Sequence, residues 1–151
     1  MSEFENLKAT LLARSPLPPL QPPSVYRPEL TTQIRQLKLA PLVEAGLHLW
    51  NDDLESAHTI AQENENPEGN YWHAILHRRE GDFSNSLYWY RRVGSHPVLK
   101  EFADLTQSSP EKLVAACERA AANRDNRDDP ASQRLQATEM TLLLNYLIAQ
   151  K

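Results

Sequence analysis

The chain has 151 residues, a formal net charge of −4, 40% hydrophobic residues and a single cysteine, Cys117. That length suits one domain with a buried core, and the acidic balance argues against nucleic-acid or anionic-membrane binding, which calls for a basic surface. One cysteine excludes an internal disulfide and fits a reducing, cytoplasmic compartment, while no apolar run approaches the ~18–20 residues of a membrane span.

Four glycines and almost no alternating β-branched runs argue against a sheet. Stretches rich in Leu, Ala, Glu, Gln and Arg favour helix, so the expected fold class is all-α. The N-terminal MSEFENLKATLLARS carries acids early and lacks the apolar core of a signal peptide. Residues 3–14 suit a short amphipathic helix through Phe4, Leu7 and Leu11. SPLPPLQPPSVYRP follows, with six prolines from Pro16 to Pro28. Proline fixes φ and removes an amide donor, so this piece is extended. Residues 1–28 thus form a helix and a proline-rich strap over the domain surface, or a ligand for a proline-reading partner; residues 29–151 form one helical domain.

Within that domain Pro41 opens a helix to about Trp50, and Asp52 with Glu55 makes a capping pair for a helix to about Glu63. Asn66-Pro67 and Gly69 break the chain before a helix from about Asn70 to Glu80. Gly81-Asp82 turns it, Ser84 caps the next helix, and Gly94 with Pro97 ends that one. Ser109-Pro110 starts a helix with Leu113, Ala116, Cys117 and Ala120 on one face. Asp129-Pro130 starts a closing helix over 130–150, whose wide apolar face includes Met140, Leu143, Leu144 and Leu147.

A shift of 29 residues aligns Ala45, Ala74 and Ala103, then Leu47, Leu76 and Leu105. It also aligns Asp53, Asp82 and Glu111, and Ala57, Ser86 and Ala115. The expected units are 41–64, 70–97 and 99–122, each a helix, an acidic turn and a helix, with small residues where the two axes cross. This pattern resembles the tetratricopeptide repeat. Ala74, Gly81-Asp82, Ser86, Tyr90 and Pro97 fill that family's small, turn, small, aromatic and proline positions, with Trp72 in the first helix. The period is 29 residues where that family has about 34. The resemblance covers roughly residues 41–122 and implies a stack of helix hairpins that binds a protein or peptide, with Tyr71, Ile75 and Arg78 on the groove side. The string YWHAILHRREGDFSNSLYWYRRVGSHP also resembles a set of small helical proteins, a likeness that implies no activity.

Candidate chemistry concentrates in residues 70–97. Two of three Trp and three of five Tyr lie there, with Arg78, Arg79, Arg91, Arg92, His73, His77 and His96. Arginine offers a planar fork for carboxylate or phosphate, and Trp, Tyr and Arg are enriched in interface hot spots. The first expectation is a non-enzymatic module for a partner protein or acidic peptide. Arg78, Arg79 and Arg92 make its anion contacts; Tyr71, Trp72, Tyr88 and Trp89 stack or anchor. The rival is a metal-binding protein or metal-dependent enzyme. His73, His77 and Glu80 fall at i, i+4 and i+7 on one helix face and would hold zinc or iron. Ala74 stands where a zincin would need its Glu. The 29-residue shift places His48 at the position of His77, which favours packing for both. A third expectation makes the aromatic hairpin a homodimer face. Cys117 reads as an inert buried thiol, and no nucleophile, phosphate-loop or paired-carboxylate motif stands out.

Overall fold

The computed structural model describes residues 1–150. Among them it is all-helical, with nine helices: α1 Glu3–Leu12, α2 Pro28–Gln36, α3 Pro41–Trp50, α4 Leu54–Gln62, α5 Pro67–Arg79, α6 Phe83–Val93, α7 Pro97–Thr106, α8 Pro110–Ala122 and α9 Pro130–Ala149. Among the described residues, no helix is long and apolar enough to cross a membrane.

Proline punctuates this chain by starting helices. Six of the nine carry Pro at their first turn, where the missing amide costs nothing. Asn66-Pro67, expected to break the chain, instead begins α5: the Asn66 side chain accepts from Gly69 N at 2.8 Å. The cap of α4 is Asp53, which accepts from Ser56 N at 3.1 Å. That of α6 is Asp82, not Ser84. Asp52 is needed elsewhere: it takes φ 58, matched 29 residues later by Gly81 at φ 83. The two turns share a further bond, Asp53 N to His48 O and Asp82 N to His77 O, each 2.9 Å.

The helix pairs α3–α4 and α5–α6 therefore repeat one another, and α4 packs on α5 to join them. Ser86, fully buried, donates its hydroxyl to Ala74 O at 2.7 Å where α5 and α6 cross. The third pair departs from the pattern. The position equivalent to Asp52 and Gly81 is 110, and proline cannot take positive φ. The left-handed residue becomes Gln107, φ 57, and the turn is remade. The main contact of α7 is with α9, while α8 packs on α6 and α9. Leu105, whose counterparts Leu47 and Leu76 are fully buried, is 64% exposed.

Helix α9 crosses α3, α7 and α8 and buries Ser132, Gln136, Glu139, Met140, Leu143 and Leu144. The proline strap is held by carbonyls where its prolines have no N–H to give, and by amides elsewhere: Leu20 N donates to Asp128 Oδ1 at 3.1 Å and Tyr26 N to Asn51 O at 2.8 Å. Pro19 O accepts from Arg79 Nη2 at 3.0 Å and Gln136 Nε2 at 3.1 Å. Leu17 O and Pro18 O accept from Gln133 Nε2, each at 3.3 Å. Leu20 closes a small second core with Phe102, Leu113, Cys117 and Ala120.

Candidate metal centre

The central helix α5 is buried along most of its length, including Tyr71, Trp72, His73, Arg78 and Arg79. A helix enclosed on several sides must find partners for its polar side chains inside the protein. For the two arginines it does so at the terminal nitrogens, while each Nε is buried without a hydrogen-bond partner. Arg78 Nη1 donates to Glu139 Oε1 at 2.7 Å and to the Tyr90 hydroxyl at 2.8 Å, and Nη2 donates to Gln136 Oε1 at 3.2 Å. Tyr71 and Tyr90 donate their hydroxyls to Glu139 Oε2 at 3.2 and 2.8 Å. Burial acts to discharge the Arg78 guanidinium, but Tyr90 and Glu139 outweigh it and hold the pKa above its ordinary value. Arg79 donates to Leu49 O and Asp52 Oδ1, both at 2.6 Å. Asp52 Oδ2 accepts from Arg14 at 2.9 Å.

These contacts correct the expected anion-binding surface. Arg78 and Arg79 are 1% exposed, and their charges are answered by Glu139 and Asp52. Tyr71 and Trp72 are core residues; Trp72 Nε1 donates to Leu42 O at 2.9 Å. The indole lies where a Cβ on Gly46 would come within 2.7 Å of its Cζ2, so glycine is what lets α3 and α5 approach there. Of the seven residues proposed to bind a partner, Tyr88 and Arg92 are exposed and Trp89 is half-buried. A cleft of about 740 Å³ beside the strap is lined by Arg79, but that side chain is already committed.

The histidines are different. His73 and His77 on α5 meet His58 of α4, and one ring nitrogen of each lies within 4.8 Å of the others. The His73 and His77 rings are nearly parallel, with centroids 4.8 Å apart. His58 stands edge-on to both, at 5.0 and 5.7 Å. Trp89 of α6 stacks on His73 at 4.0 Å. Nδ1 of His73 and of His77 are buried without a hydrogen-bond partner. Burial first, then His77 and His58, lowers the His73 pKa to about 4. Burial also lowers His77, with Glu80 opposing it and His58 adding to it. His73 is therefore neutral near pH 7, its lone pair free.

Glu80 does not join the cluster. Its Oε1 lies 3.2 Å from His77 Nδ1, and its side chain is 45% exposed. The expected set of His73, His77 and Glu80 thus becomes His58, His73 and His77, with Glu80 behind one of them. His58 lies across a connection from the i, i+4 pair, so helix spacing alone does not find it. The signal was that α4 and α5 are consecutive and packed, with His58 and His73 at roughly equal distances from residues 63–66. His48 does behave as packing: it is fully buried, and its Nε2 pairs with Glu44 at 3.1 Å.

Tetrahedral zinc with Zn–N bonds of about 2.0–2.1 Å sets its ligand nitrogens about 3.3 Å apart. The three ring nitrogens lie within 4.8 Å of one another, so an ion would have to draw the rings towards itself. Three imidazoles without a thiolate or carboxylate suit zinc, copper, nickel or iron rather than calcium or magnesium. No family model, curated protein or solved structure matches this chain.

Proposed function

We propose that this protein binds one divalent transition-metal ion, zinc foremost, through His58, His73 and His77. The observation that carries the proposal is the convergence of three histidines from two helices, with His73 Nδ1 buried without a hydrogen bond. A buried polar atom without a partner is costly, and a metal ion is one partner that satisfies several nitrogens at once. The ion would tie α4 to α5 across the join between the two hairpins and add its binding free energy to the fold.

Titration of the metal-stripped protein with zinc, followed by calorimetry, tests this. One equivalent is expected to bind, with a matching rise in melting temperature. His58→Ala is the decisive variant, because half-buried His58 joins the set from a separate helix. Unchanged zinc affinity in His58→Ala, or no zinc uptake by the wild type, would refute the assignment.

A further inference from the structure

We propose that this three-histidine centre is open: its fourth coordination position is kept for an exogenous ligand, water at rest and a small monovalent anion such as azide or a carboxylate in exchange. The inference rests on the metal-binding reading above and adds what the ion would present to solution.

Structural zinc sites close with four protein ligands, whereas sites that exchange ligands have three and keep one position free. Among the described residues no fourth His, Cys, Asp or Glu joins His58, His73 and His77. The nearby polar groups have other work. Asp82 caps α6 through Asn85 N at 3.4 Å. The Asn85 side-chain amide meets His77 Nε2 at 3.3 Å. Trp89 covers His73 with an indole, which has a donor N–H but no lone pair for a metal.

Among the described residues Glu80 is the only carboxylate within ion-pairing distance of a ligand ring, and that ring is His77. Glu80 Oε1 lies 3.2 Å from Nδ1 without hydrogen-bonding it; a small turn of either side chain would let it accept the proton there and leave Nε2 for the ion in place of the Asn85 amide. Such outer carboxylates orient histidine ligands and raise their basicity. Glu80 is thus a positioning residue.

Charge then selects the incoming ligand. Three neutral imidazoles leave a divalent ion its full +2, and Trp89, which stacks on His73, also has the Arg92 guanidinium 5.4 Å from its ring. An anion that replaces the water neutralises part of that charge; a neutral molecule does not. Access is from the rim: His58 is half-buried, and the His77 side chain is 12% exposed.

Cobalt(II) loaded into the full chain gives visible d–d bands that report coordination. Azide is expected to shift the wild-type bands with a saturating, one-to-one isotherm. Glu80→Ala should lose cobalt affinity by about 10–100-fold yet keep the azide shift. Wild-type bands indifferent to azide would overturn the open position, and a shift appearing only in Glu80→Ala would identify Glu80 as the closing ligand. Absence of cobalt bands altogether would instead overturn the metal-binding reading itself.

Discussion

Helix α5 carries two polar clusters that adjoin in sequence at His77 and Arg78, and they are resolved in opposite ways. On one side Arg78 enters a closed network with Glu139, Gln136, Tyr71 and Tyr90, all at least nine-tenths buried. On the other, His73 and His77 gather beside His58 with buried nitrogens unmatched and no carboxylate in the group. Both clusters come from residue types that suggest a site. The difference is the supply of partners: α9 delivers Glu139 and Gln136 to the arginine, while α4 delivers another imidazole to the histidines. A cluster paired with its counter-charge holds the fold together although Arg78 Nε stays unpartnered, and a cluster of imidazoles alone invites a cation.

The sharpest way to break this comparison is to unsaturate the arginine side. Glu139→Ala leaves the Arg78 guanidinium buried without its counter-charge, which is expected to cost about 3–5 kcal/mol in urea denaturation. Replacing both partners with apolar side chains, Arg78→Met with Glu139→Met, should recover much of that loss. A buried charge left alone costs more than a buried pair contributes. A double variant as unstable as the single would mean that the hydrogen bonds to Gln136 and the tyrosines matter more than the charge pairing.

The histidine side is sharpened by Trp89, which stacks on His73 at 4.0 Å. Zinc loading that turns the His73 ring should change Trp89 emission, and Trp89→Phe should abolish that change while leaving stoichiometric binding. His73→Ala should weaken zinc binding by at least the roughly 10–100-fold that losing an outer-shell partner costs. Its cost to the unloaded fold is that of removing a buried ring stacked against Trp89 and His77, about 1–3 kcal/mol.

How far the sequence reveals each side follows from where its partners lie along the chain. The 29-residue alignment of Asp53 with Asp82 was legible, but these residues, and not the expected Asp52 and Ser84, are the caps, because Asp52 takes the positive φ that Gly81 takes in the next turn. The failure of the repeat in the third pair traces to Pro110, which occupies a position that needs a conformation proline lacks. The burial of Arg78 was not legible, because Glu139 lies 61 residues away on a helix that reads as a wide apolar face. His58 was hidden in a milder way. Two histidines at i, i+4 announce themselves, whereas a third across a connection needs the packing of consecutive helices.

His48 supplies a pH test at the position equivalent to His77. Burial lowers its pKa below 6.5, against the hydrogen bond it donates to Glu44 and the charge of Asp53, with Arg35 adding to the lowering. The unfolded chain therefore takes up the proton first as the medium is acidified. The stability from keeping this ring neutral is present above pH 6.5 and is lost as pH falls towards the folded value. Asp53, whose pKa is lowered despite its burial by hydrogen bonds from Ser56 and Thr31, begins to withdraw its contribution only below 3.8. The urea midpoint should fall between about pH 7 and about pH 5.5, and His48→Gln should flatten that slope. An unchanged slope would assign the acid sensitivity to other groups.

The smallest effect should come from the arginine that most resembles Arg78 in sequence. Arg92 also ends a helix in the aromatic hairpin, but it is exposed, and its guanidinium lies 5.7 Å from Tyr88 and 5.4 Å from Trp89. An exposed cation on an aromatic face contributes about 0.5–1 kcal/mol at most, and salt and solvent erode it. Arg92→Ala should therefore shift stability by less than about 1 kcal/mol, several-fold below Glu139→Ala. A loss approaching that of Glu139→Ala would mean that Arg92 has a buried counter-charge, and residue type, rather than the supply of partners, would then decide which arginines hold this fold together.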